Sequence, residues 1–494
     1  MNNSIIRYVL GYVLRIEAAL LLLPILVAMI YQEDTFSAFV VVAAGAFVLG
    51  SLMTWKKLRD TSVYIKEGCV ATALCWIIMS IVGCLPFVMT GAIPSFTDAL
   101  FETISGFTTT GSSVVNDLDV LPKSILFWRS FTHWIGGMGV LVFMLAVIPT
   151  IGGSSMNIMK AESPGPVVGK LVPKVRQTAA TLYKIYIVMT VIQIIFLLLG
   201  RMPLLEAIMI TFGTAGTGGF AVSNAGLASY SPYCQWVIAI FMMLFGVNFN
   251  AYYLIIMKKV RDAFKMEEIR GYFLMIASAT ALIFINIYDG TMTIEHTLRD
   301  VFFQVSSLST STGFVTVDYD QWPAFAKTVL IIVMFIGACA GSTGGGLKIT
   351  RVELLFKSMF HEIYTYIHPK SVKKIKSDGK TVPEETIRSI QIYFFIFMVI
   401  FSVSLLLISL EGRDFESNFV AVLTAINNMG PGMSQFGPIE NFSSMTVLSK
   451  YVMMFDMLAG RLELFPMIIL FNPRVLKALF TPPKFNKNRK IWNY

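Results

Sequence analysis

Residues 101–113 read FETISGFTTTGSS, a short apolar run with helical character that breaks into threonines and a glycine. Other stretches repeat that shape: Ile208–Phe220 (IMITFGTAGTGGF), Phe303–Phe314 (FQVSSLSTSTGF) and Phe419–Gly432 (FVAVLTAINNMGPG). Each opens with aromatic or aliphatic residues and ends in small polar residues followed by Gly. At ~1.5 Å per residue such a helix reaches about 15 Å, half of a ~30 Å hydrocarbon core. It dips into a bilayer and does not cross it.

The C-terminal carbonyls of a dipping helix lack intrahelical partners and carry the negative end of its dipole, which favours a cation. A Gly-containing turn beyond it lets backbone carbonyls face a common axis, so that four copies make a ring of oxygens able to replace a cation's water shell. Irregular backbone at membrane depth survives only where protein buries it or it lines a watery cavity. One segment alone reads equally well as an amphipathic surface connector; recurrence between long apolar spans favours one shared cavity.

Composition agrees. The chain has 494 residues, 55% of them hydrophobic and only 14% charged, with a mean hydropathy of +0.69, which excludes a soluble globular protein. No cleavage site follows the first apolar run, so the first helix is expected to be kept. Cys69, Cys75, Cys84, Cys234 and Cys339 lack CxxC spacing and read as buried hydrophobes. His133, His296, His361 and His368 form no catalytic or metal motif. The net charge of +9 does not point to nucleic acid, because the basic residues lie between spans, as the positive-inside rule requires. With the chain starting inside, about 31 of the 39 Lys and Arg fall on inner segments, among them Lys56, Lys57, Arg59, Lys170, Lys174, Arg176, Lys258, Lys259 and Arg261. The outer segments hold Lys123, Arg129, Arg201, Arg299, Lys327, Arg413, Lys450 and Arg461.

The expected fold is an all-α polytopic membrane protein: an N-terminal two-helix hairpin, then four pseudo-fourfold repeats of span, pore helix and span around a central pore. The hairpin takes residues 1–60, repeat 1 61–155, repeat 2 156–265 and repeat 3 266–360; a basic cytoplasmic loop covers 361–383, and repeat 4 with the tail 384–494. Ten spans result, with both termini inside. The second spans are drawn at Leu126–Pro149, Trp236–Met257, Phe325–Phe360 and Thr446–Leu470. Asp98, Asp117, Asp119, Asp318 and Asp320 lie in outer loops, where they either draw cations to the mouth or are simply solvated.

Repeat 3 departs from the pattern, since its second span runs into GSTGGG, Gly341–Gly346. Clustered glycines unwind a helix, each costing about 1 kcal/mol against Ala. The interruption reads as a mobile plug beneath the turns, or as glycines that let helices pack closely; it is not a phosphate loop, because Leu347 follows Gly346. Arg461 lies inside the last span, where a charge requires a cavity or a partner. Carbonyls of the Gly341–Gly346 loop are one partner; Glu463 or Asp456 is another. The segment His361–Pro383, with Lys370, Lys373, Lys374, Lys376 and Lys380, faces either lipid or a cytosolic partner.

Taken together, these features resemble the superfamily of K⁺ transporters that includes the bacterial Trk and Ktr and the plant HKT proteins. The extra N-terminal hairpin is most similar to the TrkH branch, and the resemblance covers essentially the whole chain. It implies a channel-like K⁺ uptake subunit, not an enzyme, in the bacterial cytoplasmic membrane, with K⁺ as transported ion and no organic cofactor. By resemblance the K⁺ filter falls on Thr110, Gly111, Gly218 or Gly219, Thr312, Gly313, Met429 and Gly430. The gating loop falls on Gly337 and on Gly341, Ser342, Thr343, Gly344, Gly345 and Gly346, and the gating charge on Arg461. In this superfamily a serine at the first filter glycine accompanies Na⁺ preference, so Gly111 argues for K⁺. Similar proteins form homodimers with one pore per protomer and bind a cytosolic TrkA-type nucleotide-binding subunit. The competing reading is an ion-coupled secondary transporter: K⁺ with H⁺ or Na⁺, or an organic-solute symporter. A membrane-embedded enzyme would need a cluster of titratable residues that the spans lack.

Overall fold

The computed structural model describes residues 1–56, 64–139 and 175–480. Lys57, Arg59, Lys170 and Lys174 of the basic segments, residues 140–149 at the end of the first repeat's second span, and the tail beyond 480 lie outside the described residues. Among those described, six helices are long and apolar enough to cross a membrane. They are the leading hairpin, Asn3–Tyr31 and Phe36–Thr54, and the first span of every repeat: Ile65–Met89, Ala180–Leu199, Glu267–Ile287 and Glu384–Glu411. Their pattern suits two apolar solvents. In Glu267–Ile287 the stripe Tyr272, Ile276, Ala279 and Ile283 is buried, while Leu274 and Ile285 on the other face are exposed to what would be lipid.

A half-helix follows each first span: Phe96–Phe107, Leu204–Gly216, Ile294–Ser309 and Phe415–Ile426. At ~1.5 Å per residue these reach about 18–24 Å, short of a ~30 Å core. Each begins earlier than the apolar run alone suggests. Ser95, Thr293 and Asp414 cap their backbone N–H groups, and Pro203 introduces the remaining one.

The second spans differ from the sequence reading, which broke only the third. In repeat 2 the helices Pro232–Phe245 and Phe249–Ile256 meet at 91°. Gly246 ends the first, and the Asn248 side chain caps the second. In repeat 4 the break falls between Val447–Arg461 and Phe465–Leu470, where Glu463 and Leu464 take φ of 59° and 63°. Repeat 3 is interrupted between Ala324–Ile336 and Ile349–Ile367, as its glycines require. The basic segment is not a plain loop either. Lys376–Ser377 pairs antiparallel with Lys380–Thr381 across the Asp378–Gly379 turn, whose φ of 49° and 75° suits an Asp-Gly hairpin.

Candidate functional site

The four half-helices end alike. Thr110 N donates to Ser105 O at 2.8 Å, Gly218 N to Gly213 O at 2.9 Å, Thr312 N to Ser307 O at 2.8 Å and Met429 N to Thr424 O at 2.8 Å. The residue before each, Thr109, Thr217, Ser311 or Asn428, is left-handed, with φ of 57°, 59°, 58° and 52°. This is the Schellman ending. It usually places Gly, sometimes Asn, at the left-handed position; here Thr and Ser stand there in three of the four, at a cost of about 1–2 kcal/mol each. The register equates Gly219 with Gly111, Gly313 and Gly430, and Gly218 with Thr110, Thr312 and Met429. Gly218 has its own reason to be small: a Cβ there would run into the His133 ring.

The turns touch head to tail. A Cβ on Gly111 would strike Gly218 O, and one on Gly219 would strike Thr312 O. One on Gly313 would come within 3.0 Å of Gly430 N, and one on Gly430 within 3.0 Å of Gly111 O. Each turn therefore abuts the next and the fourth returns to the first. Gly111, Gly219, Gly313 and Gly430 together line one cavity of about 330 Å³. Of the acids expected at its mouth only Asp318 lines it, joined by Glu440. Asp98 is taken by Lys450 and Asp320 by Lys327, while Asp117 and Asp119 hold Asn224.

Three buried side chains, Arg129, Arg299 and His133, were not singled out in sequence. Arg129, counted there among the charges of the outer segments, is buried and pairs with Glu102 at 2.7 Å. It also donates to Ala221 O and Ser113 Oγ, while Glu102 accepts from Val114 N, so the pair clamps the exits of the first and second turns. Arg299, within the third half-helix, is also buried and pairs with Glu295. His133 contacts Gly106 O through Nδ1 at 2.8 Å and accepts Phe220 N through Nε2 at 3.2 Å, joining the same two repeats. Nothing in the spacing of a lone His or Arg announces this.

The Gly-rich loop lies against the opposite ends of the turns. Gly337 faces Gly345 and Gly346 so closely that a Cβ on it would come within 2.8 Å of Gly346 Cα, which is why this hairpin of backbone needs glycine. Thr343 O accepts Thr217 Oγ1 at 2.9 Å, Ser311 Oγ accepts Gly345 N at 2.5 Å, and Asn427 O accepts Gly346 N at 3.1 Å. The ends of half-helices 2, 3 and 4 are thus bonded to the loop. Arg461 Nη1 donates to Thr343 O at 2.8 Å and Nη2 to Gly137 O at 2.8 Å. Glu463 pairs instead with Arg351, and Asp456 accepts Ser404 Oγ. Lys348, two residues past Gly346, is buried and donates to Gly344 O. Two cations thus hold consecutive loop carbonyls, and a cavity of about 70 Å³ beside them is lined by Gly341, Ser342, Gly344, Gly345, Gly346, Lys348 and Arg461.

Comparison with known proteins accords with this geometry. Residues 36–476 match the family model TrkH, described as a cation transport protein. The Trk system potassium uptake protein TrkH of Salmonella typhimurium is 35% identical over 96% of this chain and 99% of its own length. The protein of that name from Escherichia coli K12 is 34% identical over the same shares. The crystal structure of the potassium transporter TrkH from Vibrio parahaemolyticus superposes with a TM-score of 0.86 at 30% identity, covering 96% of this chain and 99% of that one. The chain belongs to the TrkH family of cation transport proteins.

Proposed function

We propose that this protein takes up K⁺ as the membrane subunit of a Trk system, passing dehydrated K⁺ through the ring formed by Thr110–Gly111, Gly218–Gly219, Thr312–Gly313 and Met429–Gly430. The observation that carries the reading is the head-to-tail contact of four equivalent turns around one cavity. Backbone oxygens in such a ring replace a hydration shell without any titratable group. The Gly337–Lys348 segment is the gate. Its bonds to the inner ends of three half-helices and to Arg461 support a closed position directly beneath the ring, and the Arg461 and Lys348 charges raise a barrier to cations there.

The same reading sets the protein in the bacterial inner membrane with both termini cytoplasmic, as a homodimer with one pore per protomer, and a TrkA-type nucleotide-binding subunit docks on the basic inner surface. The relatives' names, which speak of a Trk system, support a multi-component assembly. The test is K⁺ flux from purified protein in liposomes, with and without a proton gradient and with and without a Na⁺ gradient. Flux that follows the K⁺ gradient alone fits a channel; flux that requires the proton or Na⁺ gradient would replace it with coupled symport.

A further inference from the structure

Glu267 and Glu268 stand side by side in the first turn of Glu267–Ile287 and are bonded to two different structures. The buried Glu268 carboxylate takes three donors. These are Ala340 N near the start of the Gly-rich loop, Thr350 Oγ1 just past its end, and Asn248 Nδ2, at 2.9 Å, in the bend of repeat 2. That bend holds the loop directly as well: Cys339 N donates to Gly246 O at 3.1 Å and Phe249 N to Gly341 O at 3.0 Å. Thr343 Oγ1 also donates to Phe245 O at 3.2 Å. The broken second span of repeat 2 and the interrupted one of repeat 3 thus satisfy each other's backbone, with Glu268 fastening both.

Glu267 faces the other way. Its backbone N–H donates to Asp378 Oδ1 at 2.8 Å, and its carboxylate pairs with Lys357, whose ammonium also donates to Lys376 O at 3.0 Å. Asp378 is the exposed tip of the hairpin Lys376–Thr381 in the basic segment. Adjacent residues of one helical turn share a planar peptide and lie about 3.8 Å apart at Cα, so one cannot shift without the other. A displacement of about 1 Å is enough to stretch a bond near 2.9 Å beyond hydrogen-bonding range.

We infer that the Glu267–Glu268 turn transmits movement of the Lys376–Thr381 hairpin to the Gly-rich loop, and that both ties together hold the loop closed. The inference rests on the loop being the gate. It makes Glu268 and Asp378 positioning residues, since neither lines the ring of turns.

The experiment compares wild type, Asp378→Ala, Asp378→Asn, Glu268→Gln and a deletion of Gly341–Gly346, each in liposomes, by K⁺ flux and by amide hydrogen exchange. Asp378→Ala, which removes one of the two links between the hairpin and Glu267, is expected to raise basal flux and the exchange of amides 339–346 about threefold, the worth of one lost hydrogen bond. Asp378→Asn keeps the Oδ1 acceptor and stays near wild type. Glu268→Gln, which weakens three bonds, exceeds Asp378→Ala on both readouts. If Asp378→Ala speeds exchange in its own hairpin while the loop amides and the flux stay at wild-type values, and the deletion still raises flux, the transmission is overturned and the gate stands. If the deletion itself leaves flux unchanged, the gate reading falls and the inference with it.

Discussion

Glu102 and Arg129 form an ion pair 2.7 Å apart with both side chains essentially excluded from solvent, behind the junction of the first and second turns. Its contacts reach Ser113 and Val114 on one turn and Ala221 on the other. Removing one partner strands a buried charge, which costs about 3–5 kcal/mol. Glu102→Ala is therefore expected to lower the melting temperature in detergent and to reduce K⁺ over Na⁺ selectivity. The double variant Glu102→Gln with Arg129→Met, which leaves no unpaired charge, should recover most of the stability but not the selectivity. A selectivity loss absent from both variants would separate the pair from the ring.

Gly111→Ser tests the ring itself. With φ of 85° and Gly218 O where a Cβ would go, any side chain must push the second turn aside. Reversal potentials in mixed K⁺ and Na⁺ should move toward equal permeability. Gly45, in the leading hairpin, has open space around its Cβ position; Gly45→Ala should leave permeability unchanged and stabilise by up to about 1 kcal/mol.

Arg461→Ala removes the donors to Thr343 O and Gly137 O. Basal K⁺ flux in liposomes is expected to rise, and combining it with the Gly341–Gly346 deletion should add little, because both remove the same obstacle. Full additivity would place Arg461 on a separate barrier.

Asp414 caps the fourth half-helix, and hydrogen bonds from Ser417 N and Oγ hold its carboxyl below the usual range. A depressed folded-state value means the stabilisation is present above the unfolded-state value near 4 and is lost as pH falls below it. Asp414→Ala should cost about 1 kcal/mol at neutral pH, with the gap to wild type narrowing on acidification. Thermal melts across that range check the sign.

Much of this architecture was legible because bilayers impose long apolar runs and because the half-helix signature recurs. The short segments ending at Gly111, Gly219, Gly313 and Gly430 announced the ring. The GSTGGG run announced a break, since six such residues cannot hold a helix at membrane depth. What escaped was whatever a single residue decides in three dimensions. Val247 and Asn248 look like part of a continuous apolar span, yet Asn248 caps a new helix at a right-angle bend whose freed backbone is satisfied by the loop of another repeat. Arg129 counts only as one more charge of the outer segments until Glu102, from a different helix, is brought against it. The choice between Gly218 and Gly219 needed the left-handed Thr217 to set the register. The half-helix starts were recoverable from Ser95, Thr293 and Asp414, capping residues that apolar periodicity passes over.

The most direct test is the anomalous scattering of Rb⁺ or Tl⁺ in crystals of the full chain grown in place of K⁺. The account predicts density on the line enclosed by Gly111, Gly219, Gly313 and Gly430, within oxygen-ligand distance of their turns. Well-bound ions elsewhere in the membrane region, with nothing between those four glycines, would contradict it.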